Sequence, residues 1–383
     1  MKILQMVQTL DPSSGGVARA VLSLSMALMQ RGHEVEVVTL DDVLAPWAQS
    51  TALRIHPLGV GLTRYRYSPR LRSWLRAHGH RFDRVIVHGI WQYLSFSAWR
   101  RFARSSTPYY VFPHGMLDPW FKRTFPLKHV KKWLSWPWAD YRVLRDARAV
   151  IFTSEEERLE ARKSFWLYRA REKVSPLGVE APTTEEAKPN NSFLEKYPTL
   201  RDTCILLFLG RLHPKKGCDL LIDAFSQCAK SEQRLSLVLA GPDQIKWEKQ
   251  LRVRATGLDR PIVFTGMLEG EMKRGAFAAA AAFILPSHQE NFGRSVAEAL
   301  SFGLPVLISN RVNIWREINA DEAGFVESDD LSGTKRLIER WLRATGDARA
   351  EMRGNARRCF ESRFEINRAA GSLLTILDEA AAL

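Results

Sequence analysis

Residues 204–217 read Cys-Ile-Leu-Leu-Phe-Leu-Gly-Arg-Leu-His-Pro-Lys-Lys-Gly, an apolar run that ends in a glycine and a cationic loop. Residues 219–228 follow with the apolar spacing of a helix. A strand, a turn and a helix in this order predict one unit of a parallel α/β sheet. Gly210 permits a tight turn, and Arg211 and Lys216 carry donors that suit phosphate oxygens. An anion site near the helix start and an ordinary loop with solvated charges are both open on this segment alone.

A second connection of the same kind carries two carboxylates eight positions apart. Residues 286–298 read Pro-Ser-His-Gln-Glu-Asn-Phe-Gly-Arg-Ser-Val-Ala-Glu. A helix that begins near Gly293 would direct its free N–H groups at an anion. Glu298 would then lie more than a turn inside a mostly apolar helix, where a carboxylate needs a partner. Glu298 is a candidate acceptor for ribose hydroxyls and Glu290 for hydroxyls of a second sugar, with an exposed helix carboxylate as the alternative for Glu298.

Both halves of the 383-residue chain alternate short β-rich runs with helical segments, which predicts parallel sheets joined by crossover helices. The first half contains the predicted strands 3–7, 35–40, 84–87, 109–112 and 149–152, and a predicted helix over 17–30. The second half contains the predicted strands 205–209, 235–240, 262–265, 282–285 and 306–308. The predicted fold class is therefore α/β, with two similar domains in tandem.

The domain boundaries follow from a loss of apolar periodicity. Residues 181–202 gather proline, asparagine and charged side chains, and we predict a linker there. The N-terminal domain is then predicted over residues 1–180 and the C-terminal domain over 203–364. A last helix within 365–383 is predicted to cross back onto the first domain.

Cysteine usage and apolar runs indicate a protein of the reducing cytoplasm. The four cysteines form no CxxC pair and no cluster at zinc-ligand spacing, so we expect neither disulfides nor a structural metal. The first residues turn polar at once and are predicted to form a strand instead of a signal peptide. The longest apolar run, 276–286, is far shorter than the roughly 20 residues of a membrane span.

Positive charge is concentrated in the first half of the chain. Residues 1–180 hold 28 Lys and Arg against 15 Asp and Glu, and thus +13 of the total formal charge of +14. An anionic partner of the first domain is indicated, whether nucleic acid, lipid or a phosphorylated substrate. Residues 118–148 interleave cations with tryptophans, a pattern that fits a membrane surface, nucleic acid, or a basic helix with its tryptophans packed inward.

Two further candidates end predicted strands of the first half. Gly15 and Gly16 lie in a strand-to-helix turn, without the spacing of a dinucleotide-binding fingerprint. His114 follows the strand 109–112, and the carboxyl ends of parallel strands face the ligand crevice in such folds. A catalytic and a purely structural role are both open for this histidine, and for His88 at the end of the preceding strand.

Together these motifs resemble the group 1 retaining glycosyltransferases of family 4, which have the GT-B fold. The resemblance is carried by Gly15–Gly16, His114–Gly115, the segment 210–217 and the segment 286–293 with Glu298. It covers nearly the whole chain and implies two facing Rossmann-like domains with parallel sheets and an interdomain cleft. The sequence 114–120, His-Gly-Met-Leu-Asp-Pro-Trp, is similar to a bacterial polysaccharide-assembly branch.

The resemblance also implies roles for particular residues. Arg211 and Lys216 would contact the diphosphate of the donor, Glu298 the ribose, and Glu290 the sugar. The implied donor-binding residues are Gly15, Gly16, Arg211, Lys216, Met267, Asn291, Phe292, Gly293 and Glu298, and the implied catalytic residues are His114 and Glu290. Asn291 stands where many relatives have glycine, a departure that bears on the choice of donor sugar.

The implied activity is transfer of a sugar from a nucleotide-diphosphate donor to a glycan or a polyprenyl-diphosphate-linked acceptor, with retention. Bacterial surface polysaccharides, such as exopolysaccharide or lipopolysaccharide, are the expected products. The chain contains no Asp-x-Asp sequence, so Arg and Lys are expected to replace a divalent metal, with no cofactor. We expect a cytoplasmic protein, with the inner face of the cell membrane as a candidate partner and no nucleic acid.

Other interpretations remain open from the sequence. A sugar-nucleotide epimerase or a glycosyl phosphorylase would have the same architecture. A non-catalytic module for acidic lipid or nucleic acid would belong to a different class. The four residues Arg211, Lys216, Glu290 and Glu298 argue against a decayed enzyme.

Overall fold

The computed structural model describes residues 1–49, 52–124, 126–183, 191–229, 234–258 and 260–379. The chain divides into two compact units, one formed by Met1–Val179 with Ile366–Leu383 and the other by Glu180–Glu365. We call them unit 1 and unit 2. Residues 184–190 of the predicted linker lie outside the described residues.

Unit 1 is built on a parallel sheet with helices between its strands. Its strands are β1 (Lys2–Val7), β2 (Glu34–Thr39), β3 (Arg54–Pro57), β4 (Arg84–His88), β5 (Tyr109–Phe112), β6 (Ala149–Phe152) and β7 (Glu172–Val174). Its helices before the linker are α1 (Gly16–Gln30), α2 (Pro69–His78), α3 (Tyr93–Phe102), α4 (Trp120–Thr124), α5 (Pro126–Ser135), α6 (Asp140–Asp146) and α7 (Glu155–Ala161). The strand order is β3-β2-β1-β4-β5-β6-β7.

Unit 2 repeats this architecture. Its strands are β8 (Cys204–Leu209), β9 (Leu235–Ala240), β10 (Ile262–Gly266), β11 (Ala282–Leu285), β12 (Val306–Ser309) and β13 (Gly324–Glu327). Its helices are α8 (Ser192–Lys196), α9 (Cys218–Cys228), α10 (Glu248–Arg254), α11 (Gly270–Ala279), α12 (Arg294–Ser301), α13 (Trp315–Ala320), α14 (Leu331–Arg343) and α15 (Gly346–Cys359). The strand order is β10-β9-β8-β11-β12-β13, again parallel, and the predicted α/β class is confirmed.

The chain returns to unit 1 at its end. The last helix, α16 (Ile366–Asp378), packs against α1. The Arg31 guanidinium donates to the carbonyl of Asn367 at 2.8 Å, and Arg84 donates to the carbonyl of Leu377 at 3.0 Å. A Cβ added to Gly178 would lie 2.7 Å from the Cβ of Ala369, so the absence of a side chain allows this close approach.

The order of the strands defines where each sheet offers a crevice. In each unit the order reverses between two neighbouring strands, β1 and β4 in unit 1 and β8 and β11 in unit 2. Loops that leave the carboxyl ends of such strands diverge to opposite faces, and ligands bind between them. In unit 2 these loops are the cationic segment 210–217 and the segment 286–293, which contains Glu290.

Within the described ranges, no helix combines the length and apolar character that crossing a membrane requires.

Candidate functional site

The two loops at the crevice of unit 2 are in direct contact. The backbone N–H of His288 donates to the carbonyl of Lys215 at 2.8 Å, and the Ser287 hydroxyl donates to the same oxygen at 3.0 Å. Gly217 has a φ of +68°, and a Cβ there would lie 2.3 Å from the carbonyl oxygen of Pro286. A glycine is therefore required both by the left-handed turn and by the close approach of the second loop.

This contact brings Lys216 and Glu290 together. Their side chains form an ion pair between Nζ and Oε2, and they are only 15 % and 20 % exposed. Burial lowers the pKa of Lys216, and the positive charges of Lys215 and Arg211 act in the same direction. The Glu290 carboxylate opposes them by favouring the charged ammonium. Lys216 thus pairs with one carboxylate and lies near further positive charge, an environment that an anionic ligand would suit.

Glu290 is held by backbone bonds to the loop after β12. Its N–H donates to the carbonyl of Arg311 at 2.9 Å, and its carbonyl accepts from the N–H of Asn313 at 2.9 Å. Next to it, the Asn291 side-chain oxygen accepts a longer bond of 3.4 Å from the Asn313 amide. The Phe292 ring is 4 % exposed and lies edge-on to another buried ring. The loop is therefore fixed by its own packing before any ligand binds.

Helix α12 begins directly after this loop. Gly293 is the N-cap residue, with a φ of +66° and no side chain that could cap the first N–H groups. The first N–H groups of a helix have no partner inside the helix and carry a partial positive charge. An added Cβ would lie 3.1 Å from Val312 and 3.2 Å from Val296, so a larger residue would displace the helix start. The amide end of α12 and the Lys216–Glu290 pair thus belong to one corner of unit 2.

The carboxylate of Glu298 has cationic partners, as expected for a charged side chain inside a mostly apolar helix. Its carboxylate accepts from Nζ of Lys273, on α11, at 2.6 Å and from Nε of Arg294 at 3.3 Å. All three side chains are less than 20 % exposed. Two cationic donors on one carboxylate fix its direction, as an acceptor of ribose hydroxyls would require.

The other predicted positions of unit 2 follow neighbouring strands. Arg211 follows β8 after one intervening glycine, is exposed, and donates a long hydrogen bond of 3.4 Å to Gln244. Met267 follows β10 and is 56 % exposed. Because neighbouring strands lie about 4.8 Å apart, the ends of β8 and β10 are separated by about 10 Å. That span would place a nucleoside across the ends of the three strands β8, β9 and β10.

His114, Gly15 and Gly16 belong to unit 1. Gly15 has a φ of +114° and nothing within 4 Å of an added Cβ, and Gly16 begins α1. His114 itself has a φ of +52°, an unfavourable backbone conformation for a residue with a side chain. The next N–H, of Gly115, donates to Glu157 at 2.6 Å, and this buried carboxylate also accepts from the N–H of Thr153 at 2.7 Å. Glu157 therefore holds the His114 turn in place.

A buried chain of hydrogen bonds defines the protonation of His114. The Ser25 hydroxyl donates to the carbonyl of Val21 at 2.7 Å, so its oxygen accepts from the Gln5 amide at 2.8 Å. The Gln5 carbonyl oxygen then faces Nε2 of His88 at 2.6 Å and must accept. His88 Nε2 therefore carries the proton. Its Nδ1 accepts from Nε2 of His114, 2.9 Å away.

This chain leaves one acceptor of His114 unused. With its proton on Nε2, the neutral ring presents a lone pair on Nδ1, which is buried and has no hydrogen-bond partner within the described part of the chain. Burial lowers the pKa of His114 to about 3, and burial with the neighbouring ring lowers that of His88 well below 6.5. Both rings are neutral at neutral pH, and Nδ1 of His114 is suited to accept a hydrogen bond from a hydroxyl.

The two neutral rings predict an acid-sensitive fold. As pH falls below about 6.5, unfolded histidines bind protons that the buried rings do not, so stability is lost at up to about 1.4 kcal/mol per pH unit for each ring. We expect the free energy of unfolding in urea to fall less steeply with pH in His114→Asn than in the wild type. The exposed His80→Asn is the matched control and should keep the wild-type slope. Equal slopes in wild type and His114→Asn would show that the ring is not buried in its neutral form.

Some residues of these arrangements were not identified from the sequence. Lys273 and Arg294 carry no local signal, because their role depends on the packing of α11 beside α12. Gln5 did carry such a signal: it is a polar residue among the apolar residues 3–7 of β1, and it is 0 % exposed. A buried polar side chain in such a strand needs partners, and Ser25 and His88 provide them.

Two family models match the chain. The model described as "Glycosyl transferases group 1" matches residues 191–359, within unit 2. The model described as "Glycosyl transferase 4-like domain" matches residues 15–178, within unit 1. The two matches together span most of the chain.

Curated relatives match over different lengths. Mannosylfructose-phosphate synthase of Agrobacterium fabrum is 34 % identical over 123 residues, 30 % of this chain and 27 % of the relative. The first four such relatives are each matched over less than half of their own length. The GDP-mannose:cellobiosyl-diphosphopolyprenol alpha-mannosyltransferase of Komagataeibacter xylinus is 26 % identical over 88 % of this chain and 83 % of its own.

Solved structures share the fold over the full length. Sucrose-phosphate synthase from Thermosynechococcus elongatus has a TM-score of 0.80 at 20 % identity, with 100 % of this chain and 99 % of that chain covered. Anabaena HepE in complex with UDP-glucose has a TM-score of 0.74 at 18 % identity, with both chains fully covered. The chain thus has the GT-B fold and belongs to the group 1, family 4 glycosyltransferases, among which it resembles bacterial members.

Proposed function

We propose that the chain transfers a sugar from a nucleotide-diphosphate donor to a glycan or lipid-linked glycan, with retention, in the assembly of a bacterial surface polysaccharide. The observation that carries the proposal is the corner of unit 2 where the Lys216–Glu290 pair lies beside the uncapped start of α12. Positive charge, helix N–H groups and hydroxyl acceptors occur there together. A sugar linked to a nucleoside diphosphate needs all three.

The same geometry supports a mechanism. As the bond between the sugar C1 and the diphosphate oxygen breaks, negative charge grows on the diphosphate. Arg211, Lys216 and the amide end of α12 would stabilise the diphosphate more strongly in the transition state than in the bound donor, because its negative charge is larger there. The acceptor oxygen would form its bond to C1 on the face that the diphosphate leaves, and the departing phosphate oxygen would take the acceptor proton. Retention follows without a covalent enzyme intermediate.

The remaining predicted residues have places in this scheme. Glu298 would accept the ribose hydroxyls, and the backbone around Met267 would meet the base. Glu290 and the Asn291–Gly293 backbone would bind the sugar and the phosphate that carries it. His114 would orient the sugar through a hydroxyl that donates to its free Nδ1, and Gly15–Gly16 would allow backbone to approach the donor.

The comparisons favour this class over the alternatives. The relative with the widest stated coverage of this chain is named as a mannosyltransferase that uses GDP-mannose and a diphosphopolyprenol. Anabaena HepE binds UDP-glucose within the same fold. An epimerase of the GT-B type would bind a similar nucleotide-sugar. A glycosyl phosphorylase would usually need pyridoxal phosphate, and the absorbance of that cofactor on release from the purified protein is a direct test.

The proposal includes catalysis without a metal ion. Arg211 and Lys216 supply fixed positive charge where other transferases use a divalent cation. Of the residues that the structure describes, no group of three or more His, Cys, Asp and Glu side chains is placed to hold a metal ion. We expect activity to persist in excess EDTA, and complete loss that added Mg²⁺ or Mn²⁺ restores would disprove this part.

A thermal-shift screen against UDP-, GDP- and ADP-sugars tests the donor class. A ligand that binds only the folded protein raises its melting temperature. We expect one nucleotide family to stabilise the wild type, and Lys216→Ala to remove that stabilisation. A protein that none of the three families stabilises, and that instead binds acidic lipid or nucleic acid, would be the non-catalytic binding module.

We further propose that unit 1 associates with an anionic membrane surface through α5. The inner side of this helix packs on the unit: the His129 ring stacks on Phe165 at 4.9 Å, and Nζ of Lys132 lies 4.6 Å from the Trp91 ring. Trp136, just after the helix, is fully buried. The orientation of α5 is thereby fixed.

The other side of α5 is apolar and exposed. Leu127, Val130 and Leu134 share one helical face and are 82 %, 54 % and 63 % exposed. Trp133 and Trp138 are 46 % and 70 % exposed. One interpretation of the sequence predicted that the tryptophans pack inward, and of these three only Trp136 does so. Exposed leucine and tryptophan on a unit of strong positive charge are typical of helices that bind the lipid headgroup region.

Sedimentation with liposomes tests the membrane proposal. We expect wild-type protein to sediment with vesicles that contain anionic lipid at low salt, and Leu127→Ser/Leu134→Ser to lose at least about tenfold in partition, because apolar burial is removed. Val253→Ser, on α10 of unit 2, removes an equally exposed apolar side chain and should bind like the wild type. Equal binding of all three proteins would exclude α5 as the contact.

A further inference from the structure

A cavity of about 320 Å³ lies in unit 1 between helices α2 and α3. None of the predicted donor-binding or catalytic residues lines it. Its volume falls in the range of small-molecule sites. Four arginines, three aromatic rings, one leucine and one serine line it, and no acidic side chain does.

The arginines give the cavity an uncompensated positive charge. Arg72, Arg76 and Arg100 have neither an ion pair nor a side-chain hydrogen bond to any residue that the structure describes. Arg101 is fixed in place, because its Nε donates to the carbonyl of Leu75 at 3.1 Å and its guanidinium lies 5.2 Å from the Phe102 ring. Planar guanidinium groups without a carboxylate partner match the oxygens of phosphate in both charge and geometry.

The floor of the cavity contains a buried polar group without a partner. Ser97 is 6 % exposed, and its Oγ has no hydrogen bond within the described ranges. A serine inside a helix ordinarily donates to the carbonyl four residues earlier, and this one does not. A buried hydroxyl without a partner is unfavourable, so a ligand oxygen that accepts its proton would restore the lost bond.

Apolar surface continues from the cavity onto the loop before α2. Tyr67 and Tyr93 line the cavity with their rings 4.7 Å apart, edge to face. Leu62 and Tyr67 exchange backbone hydrogen bonds of 2.8 and 2.9 Å, which fix the loop between them. Val60, Leu62 and Tyr65 are 58 %, 64 % and 38 % exposed, an unusual concentration of apolar side chains at a loop tip.

We propose that this cavity binds the diphosphate of a lipid-linked acceptor. The arginines and Ser97 hold the phosphate oxygens, and the first carbons of the lipid lie on the tyrosine rings and the loop 60–67. The arginines and the apolar loop together indicate the class of ligand. A free phosphate would not need the apolar loop, and a neutral glycan would not need four arginines. The assignment rests on the proposed transferase function and extends it by placing the acceptor's anchor in unit 1.

Titration with farnesyl diphosphate, followed by tryptophan fluorescence or calorimetry, tests the site. We expect binding by the wild type and a loss of at least about tenfold in Arg72→Ala/Arg100→Ala, the scale of two charge-assisted hydrogen bonds. Arg104→Ala, an exposed arginine beyond α3 that does not line the cavity, should bind like the wild type. Melting temperatures of both variants confirm that they are folded, as substitutions of exposed side chains allow.

Two further ligands separate the possible sources of the phosphate. We expect inorganic pyrophosphate and farnesol each to bind at least about tenfold more weakly than farnesyl diphosphate, because pyrophosphate lacks the apolar chain and farnesol lacks the diphosphate. Pyrophosphate that binds as tightly as farnesyl diphosphate would overturn the lipid assignment. Farnesyl diphosphate that binds equally to the wild type and to Arg72→Ala/Arg100→Ala would overturn the site itself.

The same variants keep this inference distinct from the proposed function. Stabilisation of Arg72→Ala/Arg100→Ala by the nucleotide-sugar donor should equal that of the wild type, because the donor residues of unit 2 are unchanged. If the donor binds and farnesyl diphosphate does not, the acceptor-site assignment fails alone. If farnesyl diphosphate binds and no nucleotide-sugar does, the transferase function fails while the diphosphate site stands.

Discussion

Replacement of Lys216 by alanine is expected to lower kcat/KM for the nucleotide-sugar donor by about 100-fold or more, the scale of one lost charge-stabilising donor at a reacting centre. Lys216 is 15 % exposed and paired with Glu290, so the substitution also leaves a weakly solvated carboxylate without its cation. Arg211→Ala is expected to lower kcat/KM by about tenfold or more, because the exposed Arg211 is better screened. Donor-dependent turnover measured for both variants checks the prediction.

Lys249→Ala is the matched control for Lys216→Ala. Lys249 is an exposed lysine on α10 of the same unit, and its removal changes the net charge equally. We expect wild-type kcat/KM from it. Wild-type turnover in Lys216→Ala and Arg211→Ala alike would mean that neither cation meets the leaving group.

Glu298→Ala is expected to raise KM for the donor by about 10- to 100-fold, the scale of hydrogen bonds to a charged acceptor, with a smaller change in kcat. The ribose is remote from the bond that breaks. Loss of the contact between Glu298 and the ribose therefore weakens binding of the ground state and of the transition state alike. Steady-state kinetics with varied donor concentration separates the two constants. Glu298→Gln, which keeps one acceptor oxygen, should lie between the wild type and the alanine variant.

A carboxylate with two cationic partners elsewhere provides the control for Glu298. Glu339, on α14, pairs with Lys335 and Arg343 at 3.7 Å each. Glu339→Ala should therefore leave KM unchanged while it too leaves two cations without their partner. A fall in kcat without a rise in KM for Glu298→Ala would contradict a role in donor binding.

The interior strands of both sheets were predictable from the sequence, and three strands at the sheet edges were not. Interior parallel strands are covered by helices on both faces, so they appear as unbroken apolar runs such as 205–209. By contrast, β3 (Arg54–Pro57), β7 (Glu172–Val174) and β13 (Gly324–Glu327) are short, contain charged residues and have no fully buried position. Such strands form because a neighbouring strand offers hydrogen bonds, which local sequence does not reveal.

The candidate site shows the same division between local and distant information. The glycine turns and the start of α12 depend on adjacent residues, and the segments 210–217 and 286–293 therefore indicated them. The pairing of Lys216 with Glu290 and of Lys273 with Glu298 joins residues 74 and 25 positions apart. These contacts follow from the strand order around β8 and β11, and one sequence alone does not specify that order.

Calorimetric titration with a nucleoside diphosphate and the corresponding monophosphate tests the central claim most directly, with the base taken from the donor screen. We propose that Lys216, Arg211 and the start of α12 act on the outer phosphate. The wild type should therefore bind the diphosphate at least about tenfold more tightly than the monophosphate. In Lys216→Ala that advantage should largely disappear while affinity for the monophosphate changes little. Equal affinities of the wild type for both nucleotides, or an advantage that survives in Lys216→Ala, would contradict the account.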